Sequence, residues 1–148
     1  MNGKEFVACI GKPEDAPEVQ AMLVTVGVTK KLRMPKDDIE ARADLPDQGL
    51  SLIFKPEGPK SSRLIFSAVQ FFSGAGRHYK RFAGLLPADL QFSSTQAEAR
   101  GKLGKPFKAL PKLGRDIWKL QGLLLAISYT DEAPHLVAEL TVYMPSKD

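Results

Sequence analysis

The feature that most constrains this chain is that it partly repeats itself. A helical segment at Glu18–Val26, then Gly27-Val28, a polar stretch holding Ile39 and the apolar run Gly49–Phe54 make up the first half. They are answered by a helical segment at Ser94–Leu103, then Gly104-Lys105-Pro106, Asp116–Leu120 and Gly122–Tyr129. Gly27 and Gly104 stand 77 residues apart, Gly49 and Gly122 stand 73 apart, and Leu64 and Leu136 stand 72 apart. Short loop deletions absorb that drift. A repeat of this size constrains the whole fold, because each copy is one supersecondary unit that must bury its apolar face against the other.

Local chemistry supports both copies. Ser93-Ser94-Thr95 offers hydroxyl N-caps, Glu98 falls in the first helical turn, and Gly104 followed by Pro106 is a stop. The apolar segments Gly122–Thr130 and Leu136–Met144 flank Asp131-Glu132-Ala133-Pro134, the pattern of an antiparallel hairpin. In the first copy Leu50–Phe54 and Arg63–Phe72 are the matching strands, joined by a longer turn at 55–62. Each copy therefore reads as helix, strand, strand, strand. The expected fold class is α+β, with two tandem helix-plus-antiparallel-strand repeats forming one sheet and the helices packed on one face. A single domain over 1–148 is expected, with repeat one at about 5–72, a connection at 73–87 and repeat two at about 88–145.

Alternation along the last strand puts Leu136, Ala138, Leu140, Val142 and Met144 on the core side, and Val137, Glu139, Thr141 and Tyr143 on the other. Leu64-Ile65-Phe66 and Phe71-Phe72 are apolar on both faces, which implies a central strand or a face covered by a partner. Trp118 reads as core, beside the leucine face.

Composition excludes several function classes. At 148 residues, 43% hydrophobic and 26% charged, the chain is sized for one core and is neither disordered nor fibrous. No stretch reaches the ~18–20 apolar residues of a membrane span, and Met1–Glu5 provides no signal core, so a cytoplasmic protein is expected. Phe6-Val7-Ala8-Cys9 has the residue types of a lipoprotein cleavage site but lacks the apolar segment before it. The lone Cys9 excludes internal disulfides and reads as a small buried side chain. The charge of +4 is dispersed over three loose basic clusters: Lys30–Lys36, Arg77–Arg81 and Arg100–Lys112.

Catalytic chemistry finds no foothold. His78 and His135 are far apart, no ligand spacing for a metal is present, and Gly74-Ala75-Gly76 opens no dinucleotide loop. No catalytic residue, metal or cofactor is expected. The sharpest local constellation is Arg77-His78-Tyr79-Lys80-Arg81-Phe82, cations interleaved with aromatics, a composition that serves both protein anchors and phosphate-and-base contacts.

The stretch Leu86–Pro106, carrying Leu86-Pro87, Leu90, Phe92, Glu98 and Leu103-Gly104 before Pro106, is followed by Asp116-Ile117-Trp118 and Gly122–Tyr129. This pattern resembles small bacterial immunity proteins of polymorphic or type VI secretion toxins. The helix-then-hairpin unit is similar to the outer-membrane assembly lipoprotein module and, in tandem, to the β-lactamase inhibitory protein. The resemblance implies a non-enzymatic inhibitor that binds a cognate toxin and occludes its active site through a sheet face. It departs from the pattern in lacking an export signal and in its basic balance. The residues expected to meet that partner are Arg77, His78, Tyr79, Lys80, Arg81, Phe71, Lys119, Glu139 and Tyr143. A small nucleic-acid-binding module using the basic clusters, and a structural adaptor, are the alternative readings. No membrane contact is expected, and the oligomeric state is left open.

Overall fold

Helix-forming and strand-forming segments assemble into three short helices over a seven-stranded antiparallel sheet, described here from a computed structural model for residues 1–35, 38–59, 61–76 and 78–146. The helices are α1 (Gly3–Ala8), α2 (Pro17–Thr25) and α3 (Gln96–Leu103). The strands are β1 (Ala41–Leu45), β2 (Leu50–Pro56), β3 (Leu64–Phe72), β4 (Lys108–Leu110), β5 (Arg115–Leu120), β6 (Leu123–Tyr129) and β7 (Val137–Tyr143). The spatial order β1-β2-β3-β7-β6-β5-β4 makes the last strand the middle one.

The α3 N-terminus forms as its residues dictate. Thr95 Oγ1 accepts from the Glu98 amide at 3.1 Å, and the Glu98 carboxylate accepts from the Thr95 amide at 3.0 Å, a reciprocal capping box. Gly104 ends the helix with φ 84°. Helix α2 begins on Pro17, where a missing amide proton costs nothing. Helix α1 has a local start signal, the Glu5 carboxylate accepting from the Asn2 amide at 3.0 Å, while the edge strands β1 and β4 carry no strong pattern of their own and arise from tertiary pairing.

The repeat is real in outline, but its alignment differs from the expected one. Leu45-Pro46-Asp47-Gln48-Gly49 and Leu110-Pro111-Lys112-Leu113-Gly114 each leave a strand, make one tight turn and end on a left-handed glycine, at φ 67° and 60°. Gly49 therefore corresponds to Gly114, not Gly122. The Gly49 carbonyl accepts from the Phe72 amide and the Gly114 carbonyl from the Tyr129 amide, so β3 corresponds to β6. Strand β7 has no counterpart; the second copy has four strands where three were expected.

All neighbouring pairs are antiparallel, so β3 and β6, on either side of β7, run in the same direction. The rotation relating the two halves must then lie along the strands, and it inverts their faces. Leu50 and Leu52, one and three residues beyond Gly49, are buried under the helices. Beyond Gly114 the buried positions are the second and fourth, Asp116 and Trp118. The helix-covered face holds Leu50, Phe71, Leu140, Ile127 and Asp116 in one cross-strand row, and Leu52, Val69, Val142, Leu125 and Trp118 in the next. Phe6 of α1 meets Phe71 and Phe82 edge-on at 6.0 and 6.1 Å. Val137, expected on the outer face, is buried, because the register slips between Ser128 and Tyr129 and turns it inward opposite Tyr129.

One buried carboxylate ties α3 to the sheet. Asp116, 1% exposed, accepts from Arg100 Nε at 2.9 Å and Nη2 at 2.8 Å, from the Tyr129 hydroxyl at 3.0 Å and from Gln96 Nε2 at 3.3 Å. Burial alone would push its carboxyl up. The hydrogen bonds from Arg100, Gln96 and Tyr129 outweigh burial and hold it below the usual range. Two residues on, Trp118 Nε1 donates to the Gly104 carbonyl at 3.0 Å, so the Asp-x-Trp pair grips the body and the end of α3.

Two predictions follow from this packing. Asp116→Ala should cost about 2–4 kcal/mol in urea unfolding at pH 7, because Arg100 and the Tyr129 hydroxyl lose their acceptor. With a depressed native pKa, that contribution is present at neutral pH and fades as pH falls below about 4, so wild type and variant should converge in acid. At Gly114 an added Cβ would make only an ordinary 3.9 Å contact with the Tyr129 carbonyl oxygen, and Gly114→Ala should cost about 1 kcal/mol for its left-handed backbone. At Gly49 a Cβ would strike the backbone of Lys80 and Phe82, so thermal melting should show Gly49→Ala to be several-fold more damaging.

Candidate partner-binding face

The sheet face opposite the helices is built from three cross-strand rows. One runs Phe72, Glu139, Ser128, Arg115, Leu110. The next runs Asp44, Ser51, Gln70, Thr141, Ala126, Ile117, Lys108. The third runs Arg42, Ile53, Ala68, Tyr143, Leu124, Lys119. Apolar side chains are partly exposed on this face at Ile117, Leu124 and Tyr143, beside the polar Gln70, Thr141 and Glu139.

The two flanks of this face differ in how their charges are used. On the β1–β3 flank Arg42 bonds Glu40 at 3.0 Å, Asp44 at 3.2 Å and Gln70 Oε1 at 2.9 Å, and Gln70 Nε2 continues the chain to Glu139 at 3.0 Å. Ser51 Oγ donates to Asp44 at 2.7 Å and so accepts from the Tyr79 hydroxyl at 2.9 Å. The β4–β5 flank carries Lys108, Arg115 and Lys119, which form no ion pair with a described residue. Lys119 Nζ sits 4.4 Å from the centroid of the Phe107 ring instead.

The basic-aromatic constellation is divided by the fold. Tyr79 stacks on Phe72 over the open face, with ring centroids 3.9 Å apart, while Phe82 enters the core on the helix side against Phe71. Arg81 lies over Phe92 at 5.2 Å, and Lys80 is exposed, 3.9 Å from Asp47. His78 is exposed. Arg77 lies outside the described residues. Phe71 is corrected: it is fully buried in the core row, because strand alternation turns its neighbour Phe72 to the open face. Lys119, Glu139 and Tyr143 do lie on the open face. Lys108 and Arg115 join them there without having been singled out as partner contacts, and Phe107, just before β4, is exposed at the edge within reach of Lys119. The signal that marks them is a charge count: residues 91–130 hold seven basic and two acidic residues, leaving fourteen and fifteen elsewhere.

The cavities hold little reactive chemistry. One of about 270 Å³ borders Glu139 on the open face, lined by Phe72, Gly74, His78, Tyr79 and Ser128 among others. Another, about 610 Å³, lies apart from that face, between α1, residues 85–91 and the β5–β6 turn, with only Lys4 and Asp89 as ionisable lining. Cys9 Sγ contacts the Glu18 carbonyl at 3.8 Å, and burial pushes its thiol up. Among the described residues no group of three His, Cys, Asp or Glu side chains is placed to hold a metal ion, and no helix is long and apolar enough to cross a membrane.

Burial raises the Glu139 carboxyl above the ordinary value, against the pull of Arg115 and Arg42. A raised carboxylate stabilises the fold below its unfolded pKa and loses that contribution as pH rises through the native one. Glu139→Gln should therefore unfold at higher urea than wild type at pH 8, and the difference should vanish near pH 4. Comparison with known proteins returns no match: no protein-family model, no curated protein and no solved structure corresponds to this chain.

Proposed function

We propose that this chain is a non-catalytic protein-binding module that covers a partner's working surface with the open face of its sheet. The observation that carries the reading is an antiparallel sheet with helices on one side only, whose other side presents Ile117, Leu124 and Tyr143 between flanking charges. A face that mixes partly exposed apolar side chains with polar and charged ones is of the composition that protein interfaces use. A standard interface buries about 800 Å² per partner, and Tyr and Arg are favoured anchors. The sheet is rigid before binding, which lowers the ordering cost of association.

The resemblance of Leu86–Tyr129 to bacterial immunity proteins gives the partner a class: a toxin whose active site or substrate path is occluded. Nucleic acid is the weaker reading. Tyr79 and Phe82, the aromatics of the basic constellation, are engaged within the protein and do not form a stacking platform beside its cations.

The test is affinity capture from native lysate with tagged wild type and the double variant Leu124→Arg/Tyr143→Arg, after nuclease treatment at raised salt. One protein held at near-equal stoichiometry by wild type, weakened at least tenfold by the variant, and toxic unless wild type is co-expressed, is the expected result. Equal capture by both, or recovery of nucleic acid alone, overturns the reading.

A further inference from the structure

The charge on the open face is segregated, and the segregation indicates what the partner presents. On the β1–β3 flank Arg42, Asp44, Gln70 and Glu139 are linked through one hydrogen-bonded chain, and Lys55 is the cation of that flank that pairs with no described carboxylate. On the opposite flank Lys108, Arg115 and Lys119 stand on the face itself, with Lys105 and Lys112 exposed nearby, and none pairs with a described carboxylate. The acids of the same region are already used: Asp116 is buried against Arg100, and Glu98 caps α3. This corner therefore holds a local excess of positive charge, although the net charge of the whole chain is small.

The same corner exposes apolar surface. Phe107 is 59% exposed and Leu113 64% exposed, while Ile117 lies in the row between Ala126 and Lys108. Lys119 over the Phe107 ring leaves much of that ring open to a second contact. Cations around an exposed aromatic, continuous with an apolar strip, complement a segment in which carboxylates surround an apolar side chain. Phosphate alone would use the cations and leave Phe107, Leu113 and Ile117 unmatched.

We propose that the β4–β5 corner is the landing site for an acidic segment of a protein partner, its carboxylates meeting Lys108, Arg115 and Lys119 and one apolar side chain seating against Phe107 and Ile117. This rests on the protein-binding reading above and adds the partner's chemistry to it. Unpaired rim charges act mainly on the association rate, so the partner should arrive fast at low salt and slowly at high salt.

The probe is a short peptide of glutamates flanking one leucine and one phenylalanine, titrated into isotopically labelled protein at low salt. A lysine-for-glutamate peptide and an oligothymidylate of equal length are the comparisons. The expected result is saturable binding with amide shifts confined to residues 107–119 and 124. Affinity should fall at least tenfold in Lys108→Glu/Arg115→Glu/Lys119→Glu and severalfold in Phe107→Ala, with the salt slope unchanged in the latter. If the charge reversals disturb folding, the Lys108→Gln/Lys119→Gln pair should still weaken binding. Tighter binding of oligothymidylate at these residues, shifts elsewhere, or indifference to both variant sets overturns the inference. If the peptide fails while Tyr143-dependent capture persists, only this inference falls. If the peptide binds but Leu124→Arg/Tyr143→Arg captures normally, the occlusion reading is the one that fails.

Discussion

The pairing of β7 with both β3 and β6 holds this protein together, because among the described residues no other strand pairing joins the two halves of the sheet. The chain makes β1-β2-β3 and β4-β5-β6 as separate antiparallel meanders, and each alone would leave a long inner edge of unpaired backbone groups. The last segment to be written in the sequence removes both edges at once. That placement makes the sheet odd in strand number, and the oddness forces the two halves to turn opposite local faces toward the helices. Leu50 and Asp116, one and two residues beyond equivalent glycines, therefore end in the same buried row.

A buried carboxylate in that row would be a liability without partners. Asp116 is tolerated because a bidentate guanidinium, a phenol and an amide surround it, and because all three come from elements that must be docked for the sheet to be covered: Arg100 and Gln96 from α3, Tyr129 from β6. The network is thus a test of correct assembly as well as a contact. Misplacing α3 would strand the buried carboxylate without its guanidinium and amide donors. The same logic explains the division of the open face, where Arg42, Asp44, Gln70 and Glu139 are linked internally and most of the unmatched cations gather on the β4–β5 flank.

Much of the fold was legible because local rules and tertiary packing agree. The capping box at Thr95–Glu98, the strands at β2, β3, β6 and β7 and the hairpin across 131–134 are short-range chemistry. So is the assignment of Trp118 to the core. The misses have physical causes. Helix α1 is six residues long and is held by the Phe6 contacts to Phe71 and Phe82. The register slip before Tyr129 turned Val137 inward against strict alternation. The Arg77–Phe82 constellation looked like one patch because its members are adjacent in sequence, whereas residues 78–82 cross the end of the sheet. One aromatic therefore goes to each face.

The sequence by itself determined the α+β class and the residues that cap and terminate α3, which depend on interactions within a few positions of one another. Only the tertiary structure decided that Gly49 matches Gly114, that β7 lies in the centre, and that Lys108, Arg115 and Lys119 share one unpaired flank beside Phe107. The physical reason is that strand order and cross-strand register are set by pairings between residues tens of positions apart. A chain's local periodicity contains no record of which strand will be its neighbour.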